Sequence, residues 1–201
     1  MVEYLALGGG FAFAAAIQPG PLQAFLLSKV ASVGWKRTLP AAVAPVISDV
    51  PIALLMLVLL HSVAHGFEST LRGVGGIVLL YFSVRAFMDW RSPGTGAGDD
   101  DTAGPRTLVQ AVLVNVVNPG PYIGWSLVLG PVVVQQWPAH PQNAIALIVS
   151  FYVVMVFSLA VFITVLGTTA FLGPRGRRSL LLASSAALAA LGCYSIFSAF
   201  R

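Results

Sequence analysis

One carboxylate lies in the middle of an otherwise apolar stretch, and it is the residue best placed to do chemistry. Asp49 follows Ser48 within LPAAVAPVISDVPIALLMLVLL, residues 39–60, and Pro45 and Pro51 flank it. An ionisable group at such depth costs about 2.5–3.5 kcal/mol on insertion scales, so it usually serves a substrate site or a proton path. We expect Asp49 to bind a coupling proton or the amino group of a substrate. The alternative is a structural carboxylate that bonds to backbone groups freed by the prolines.

Two Pro-Gly-Pro motifs interrupt other apolar stretches, in IQPGP at 17–21 and VNPGP at 117–121. Proline lacks the amide proton and clashes with the preceding turn, and glycine permits backbone angles that other residues resist. Each motif therefore predicts the end of one half-helix and the start of another; simple kinks are the alternative. Backbone groups released at membrane depth are tolerated only inside protein or along a wet cavity. The predicted substrate-binding residues are Gln18, Pro19, Gly20, Pro21, Asp49, Asn118, Pro119, Gly120 and Pro121.

Two further polar groups have the composition of weak metal sites. His61 and His65 are four residues apart, which places them on one helix face, and Glu68 follows. An interfacial polar rim is the favoured interpretation of these three residues. The triplet Asp99–Asp101 lies in a Gly- and Ser-rich stretch and is better interpreted as a solvated turn. We assign no metal site and expect no cofactor.

The sequence contains no nucleotide-binding loop, no nucleophile–base pair and no redox pair, which argues against an enzyme. Transport by such a chain would be passive or driven by a gradient. The single cysteine, Cys193, excludes an intramolecular disulfide.

The elements that position these residues are predicted to be membrane helices. Of the 201 residues, 57% are hydrophobic and 9% charged, with a mean hydropathy of +0.87, whereas soluble domains carry about a quarter charged residues. Period-2 alternation is absent, which disfavours an outer-membrane barrel. The class predicted is an all-α integral membrane protein in contact with the lipid bilayer. Its six apolar runs, each long enough to cross the bilayer, are 4–28, 38–61, 70–90, 106–136, 143–170 and 179–200.

The distribution of basic residues predicts the orientation of these spans. Nine of the 11 Lys and Arg residues flank the connections that follow spans one, three and five, and only Arg72 and Arg201 fall on the opposite side. By the positive-inside rule, the first group faces the cytoplasm, so both termini lie outside it. The first span lacks the basic flank of a signal peptide and is expected to remain. We expect an inner-membrane protein and, since the basic residues adjoin spans, no nucleic-acid partner.

The repeated motif predicts two halves of three spans each. An odd number of spans inverts the second half relative to the first, which is the inverted-repeat layout of secondary transporters. The single transmembrane domain, 1–201, then comprises repeat one at 1–90, a flexible cytoplasmic loop at 91–106 and repeat two at 107–201. Spans one and four are broken at QPGP and NPGP. Gly8–Gly10 permit close helix approach, either within the fold or in a homodimer.

Several motifs, in order along nearly the whole chain, resemble the LysE/RhtB family of amino-acid exporters. They are PGP at 19–21, GWKR at 34–37, Asp49 in span two, GGIVLLYFSVRAF at 75–87 and the pair Asn118–Pro119. The resemblance implies export of an amino acid or similar small polar metabolite, coupled to protons.

The residues and the resemblance together predict a secondary transporter with its substrate site between the two breaks, close to Asp49. A divalent metal-ion exporter is one alternative, and it would require more acidic or histidine ligands within the membrane. The other is a non-transporting membrane factor that acts as a scaffold or handles lipid, and it would tolerate Asp49→Asn.

Overall fold

The computed structural model describes residues 1–59, 65–91, 103–169 and 173–199, and nearly all of them are helical. No strand occurs within these ranges. The helices are α1 (Val2–Ile17), α2 (Pro21–Val33), α3 (Trp35–Thr38), α4 (Ala44–Leu59), α5 (His65–Arg91), α6 (Ala103–Val116), α7 (Pro119–Gly124), α8 (Gly130–Gln136), α9 (Pro141–Thr169) and α10 (Gly173–Ala199). A 3₁₀ segment at Leu39–Val43 precedes α4, and a π-helical segment at Trp125–Leu129 separates α7 from α8.

Several of these helices are apolar enough to cross a membrane. Within the described residues, Trp35–Leu57 and Pro141–Thr168 are each long and apolar enough to cross a membrane, and counting each of two bent helix pairs as one span raises the number to four. Large apolar side chains such as Leu127 and Phe157 are 72% and 68% exposed. The fold is that of an all-helical membrane protein. The remaining two predicted spans, 70–90 and 179–200, overlap α5 and α10, neither of which is among the candidate membrane spans of the described residues.

Each bent pair has its interruption at one of the Pro-Gly-Pro motifs. The axis turns by 57° between α1 and α2, and by 55° between α6 and the helical segment Pro119–Gln136. Neither bend requires the backbone conformations that glycine was expected to supply. Gly20 has φ −165°, which any residue adopts, and Gly120 lies within α7; among described residues, positive φ occurs only at Gly34. Proline supplies the interruption, because it cannot donate the amide that would continue the preceding helix.

The two motifs restart their helices at different positions. In the first, Gly20 is the N-cap and Pro21 opens α2. In the second, Asn118 is the N-cap, its side chain accepts a 3.1 Å hydrogen bond from Gly120 N–H, and Pro119 opens α7. Asparagine is a strong N-cap residue and glutamine is not, so Asn118 starts a helix where Gln18 cannot.

The predicted cytoplasmic loop at 91–106 is shorter than expected at both ends. Arg91 is the last residue of α5, and α6 begins at Ala103, so residues 103–106 form its first turn. Pro105 is accommodated there because amides of a first turn have no intrahelical acceptor. Residues 92–102, with the triplet Asp99–Asp101, lie outside the described residues.

Helix α1 packs along α9, and α5 packs along α10. A Cβ on Gly8 would clash with Leu147 O and Ser150 Oγ, and one on Gly9 would lie 3.2 Å from Val154. Of the two roles predicted for this glycine stretch, Gly8 and Gly9 therefore serve approach within the fold. Gly10 has nothing within 4 Å of such a position.

The contact between α5 and α10 is reciprocal, and we call it the α5–α10 seam. Ser83 Oγ donates to Ser185 O at 2.9 Å, and Ser185 Oγ donates to Ser83 O at 3.1 Å. A Cβ on Gly76 would lie 2.7 Å from Gly192 O, and one on Gly192 would lie 3.0 Å from Gly76 O. The two pairs are seven residues apart on each helix and run in opposite directions, so the helices are antiparallel.

Candidate functional site

A cavity of about 420 Å³ opens between the two bends. Its volume lies within the range of roughly 300–1,000 Å³ that is typical of small-molecule sites. Helices α1, α2, α4, α6, α7 and α9 and the π-helical segment all contribute to its wall. The lining residues are Phe11, Ala15, Gln18, Pro19, Gly20, Pro21, Leu22, Gln23, Pro45, Asp49, Asn115, Asn118, Gly120, Pro121, Ile123, Gly124, Trp125, Val128, Leu129, Phe151 and Met155.

Asp49 lies at the wall of this cavity and is 2% exposed. Asn115 Nδ2 donates to its Oδ1 at 2.6 Å, and Ser48 Oγ donates to the same oxygen at 3.3 Å. Asn115 Nδ2 is also 2.7 Å from Ser48 Oγ, so the three polar side chains form one network. Within the described part of the chain, both hydrogen bonds to the carboxylate end on Oδ1. Oδ2 is the oxygen left for a group in the cavity.

The local structure of α4 turns Asp49 toward α6. A 3₁₀ segment precedes α4, and Pro45 lies in the first turn, where its missing amide costs no hydrogen bond. Ser48 Oγ also lies 2.9 Å from Ala44 O within the same helix, so its single proton is shared between Ala44 O and Asp49 Oδ1. These contacts fix the hydroxyl that accepts from Asn115. The Asp49 network is therefore held by α4 on one side and by α6 on the other.

The bends are held by side chains that reach back across them. In the first, Gln23 Nε2 donates to Ala15 O at 3.1 Å and to Ala16 O at 3.0 Å. In the second, Tyr122 Oη donates to Val116 O at 2.8 Å. The last carbonyls of a helix have no intrahelical partner, and these side chains satisfy some of them at the ends of α1 and α6. The two donors differ in chemistry but serve equivalent positions, residues 16 and 116.

A π-helical segment forms the wall beyond the second bend. It begins at Trp125, which is 2% exposed, and it includes the lining residues Val128 and Leu129. π-Helical segments are uncommon in proteins, but those that occur often lie at functional sites. The burial of Trp125 excludes contact with lipid, and its ring packs edge-on against Phe151 at 5.7 Å.

All but one of the predicted substrate-binding residues border this cavity. Pro119, at the first position of α7, is the exception and is absent from the wall. The cavity also contains polar residues that were not predicted, Gln23 and Asn115. Asn115 could have been recognised from the sequence, because a buried amide in an apolar run requires a partner.

The described residues that line the cavity include none of the residues of the weak metal signals. His61 lies outside the described residues, and His65 and Glu68 lie on the first turn of α5. The described part of the chain contains no group of three His, Cys, Asp or Glu side chains.

A family model described as LysE type translocator matches residues 13–198, nearly the whole chain. The chain belongs to the LysE type translocator family. It is therefore a membrane transporter of a family whose members commonly export amino acids. No curated protein and no solved structure matches it. The matched range contains both bends and, except for Phe11, every described residue that lines the cavity.

Proposed function

We propose that this LysE family translocator is an inner-membrane secondary transporter that exports an amino acid or similar small polar metabolite in exchange for protons. The observation that carries the proposal is the cavity bordered by both Pro-Gly-Pro motifs and by Asp49. Among the described residues that line it, Asp49 is the single ionisable side chain. A carboxylate at such a position needs a cation or a proton as its partner.

An amino acid offers complementary groups to the two ends of this site. Its ammonium group is a suitable partner for Asp49 Oδ2. Its carboxylate suits the start of α2, where the N-cap Gly20 provides no side-chain acceptor for the first amides. Partial positive charge at a helix N-terminus favours an anion, and broken helices of secondary transporters use their ends in this way.

Exchange of a proton for the cargo would follow from competition for one carboxylate. A proton on Asp49 removes the charge that binds the ammonium group, and a bound ammonium group opposes protonation. The two ligands would then occupy Asp49 in alternation, which couples their opposite movements across the membrane.

For the whole chain we propose six spans in two inverted repeats. Spans one and four are the bent pairs, and spans three and six are α5 and α10. The reciprocal hydrogen bonds of Ser83 and Ser185 support this pairing, since a two-fold relation exchanges equivalent groups. The contacts of α1 with α9 and of α6 with α4 pair the first half of each bent span with the middle span of the other repeat. Rocking of one repeat against the other around the cavity would give alternating access.

The test is transport by purified protein in proteoliposomes. An amino-acid counterflow screen identifies the cargo, and Asp49→Asn is then compared with the wild type across pH 6 to 8. The variant retains size and hydrogen bonding but cannot exchange a proton, so we expect proton-driven export to stop. Asp89→Asn, an exposed substitution on α5, is the matched control. Wild-type export by Asp49→Asn at every pH would refute the mechanism.

A further inference from the structure

Three aromatic side chains form one side of the cavity, and we call them the aromatic wall: Phe11, Trp125 and Phe151. The Phe11 and Phe151 rings are 6.2 Å apart, and Trp125 meets Phe151 edge-on at 5.7 Å. The three residues come from α1, the π-helical segment and α9, so their contact does not follow from proximity along the chain. Gly124 leaves room for this packing, because a Cβ there would lie 3.1 Å from the Phe11 ring.

The aromatic wall continues into aliphatic residues rather than into charged ones. Ile123, Val128, Leu129 and Met155 line the same cavity. Asp49 is the single ionisable group among the described lining residues, so one positive charge on a bound solute can be neutralised by a side chain. A charge on the solute beyond one ammonium and one carboxylate group would leave water without a counter-ion, which is expensive in a low-dielectric site.

Trp125 has an unused hydrogen-bond donor in this wall. Its Nε1 is buried and has no partner within the described structure. A buried tryptophan that only fills a core usually finds an acceptor for its N–H. Trp125 thus brings an unpaired N–H to the border of the cavity.

We infer that the cargo is an amino acid, or a close analogue, with a large uncharged apolar side chain that packs against the aromatic wall. This inference rests on the transport function proposed above. The ammonium group would face Asp49, and the apolar side chain would lie against Phe11 and Phe151. Basic and acidic amino acids would be poor cargo, because the charge of their side chain finds no partner.

Wild-type selectivity tests the inference directly. Proteoliposomes preloaded with one amino acid are exchanged against labelled phenylalanine, leucine, alanine, lysine or glutamate. We expect phenylalanine or leucine to exchange at least about tenfold faster than lysine and glutamate, since pocket contacts discriminate by roughly 10- to 200-fold. Equal or faster exchange of lysine or glutamate overturns the inference and leaves the transporter function standing. Exchange of no amino acid refutes both.

A matched pair of variants locates the selectivity. Phe11→Ala removes part of the aromatic wall, whereas Phe13→Ala makes the same change on a side chain of α1 that is 53% exposed. We expect Phe11→Ala to lower the phenylalanine-to-alanine exchange ratio about tenfold, and Phe13→Ala to leave it unchanged. An unchanged ratio in Phe11→Ala overturns the inference. If Phe11→Ala yields no folded protein, Phe11→Leu preserves bulk and is judged by the same ratio.

Discussion

At the residue scale, the central feature is that other residues position the carboxylate of Asp49. Its Oδ1 accepts from Asn115 on α6 and from Ser48 on α4. A shift of α6 relative to α4 would therefore rotate or release the carboxylate. Asn115 is a positioning residue in this arrangement, because it acts on the solute through Asp49.

Replacing Asn115 by alanine should weaken transport. A hydrogen bond to a charged group contributes about 1.5–3 kcal/mol, which corresponds to roughly 10- to 100-fold in affinity if all of it is lost at the site. We expect a rise in the KM for cargo with a smaller change in kcat, and a shift of the pH profile of export. Asn143→Ala makes the same substitution at a side chain that bonds to Gln136 instead. A wild-type KM and pH profile in Asn115→Ala would show that Asp49 is positioned by other contacts.

The sequence identifies Asp49 because one acid in a long apolar run is conspicuous by type alone. It does not identify the partner, because the contact joins residues 66 positions apart and depends on how α4 meets α6. Gln23 was missed for another reason. It lies within a predicted apolar span, and its role became visible only when the end of α1 was known to lie beside it.

At the element scale, the two bends solve the same problem with different side chains. Each exposes carbonyls at the end of a helix, and a donor from the following helix returns to them, Gln23 in one half and Tyr122 in the other. Unpaired carbonyls in an apolar environment are costly, so these donors stabilise the bent conformation itself.

Removing the hydroxyl of Tyr122 should therefore destabilise the protein. Tyr122→Phe leaves Val116 O without that donor, at a cost of about 1–3 kcal/mol. For a chain of this size the loss corresponds to roughly 2–10 °C in Tm, measured by thermal unfolding in detergent. Tyr194→Phe removes the same group from a side chain that is 67% exposed and should leave Tm unchanged. Equal Tm values for the two variants would show that the bend does not depend on this bond.

Proline chemistry explains why the ends of α1 and α6 fall beside the two motifs, and that much follows from sequence. The restart of each helix does not, because it depends on which residue can act as the N-cap. Gln18 and Asn118 occupy matching positions in the repeat, yet only the shorter amide caps its helix. A comparison that treats the two residues as equivalent misses this difference of two residues in register.

At the scale of the whole molecule, the proposed arrangement fixes the orientation of the chain in the membrane. Nine of 11 basic residues fall on one side of the proposed six spans, and the positive-inside rule places that side in the cytoplasm. The helical class follows from composition alone, since few charges and long apolar runs leave little else. The close approach of α5 and α10 was not predictable, because it depends on Gly76 meeting Gly192, which is far away along the chain.

Reporter fusions test this orientation. A reporter active in the cytoplasm should give signal when fused at Gly98 and none when fused at the C-terminus, and a reporter active outside should give the reverse. Fusions at residues 1 and 201 should agree with each other. If fusions at Gly98 and at the C-terminus gave the same signal, both the proposed orientation and the inverted repeat would be excluded.

The α5–α10 seam resembles an interface between identical subunits, in which each partner makes the same contacts to the other. A homodimer built on such an interface must place every chemical group twice. In the proposed inverted repeat both partners are joined in one polypeptide, which removes that obligation. Asp49 has no acidic counterpart near Val149 and Ser150, the matching positions when the sequence is shifted by 100 residues. Under this proposal, covalent fusion allows the cavity to have a single carboxylate while the seam keeps the reciprocal hydrogen bonds of Ser83 and Ser185.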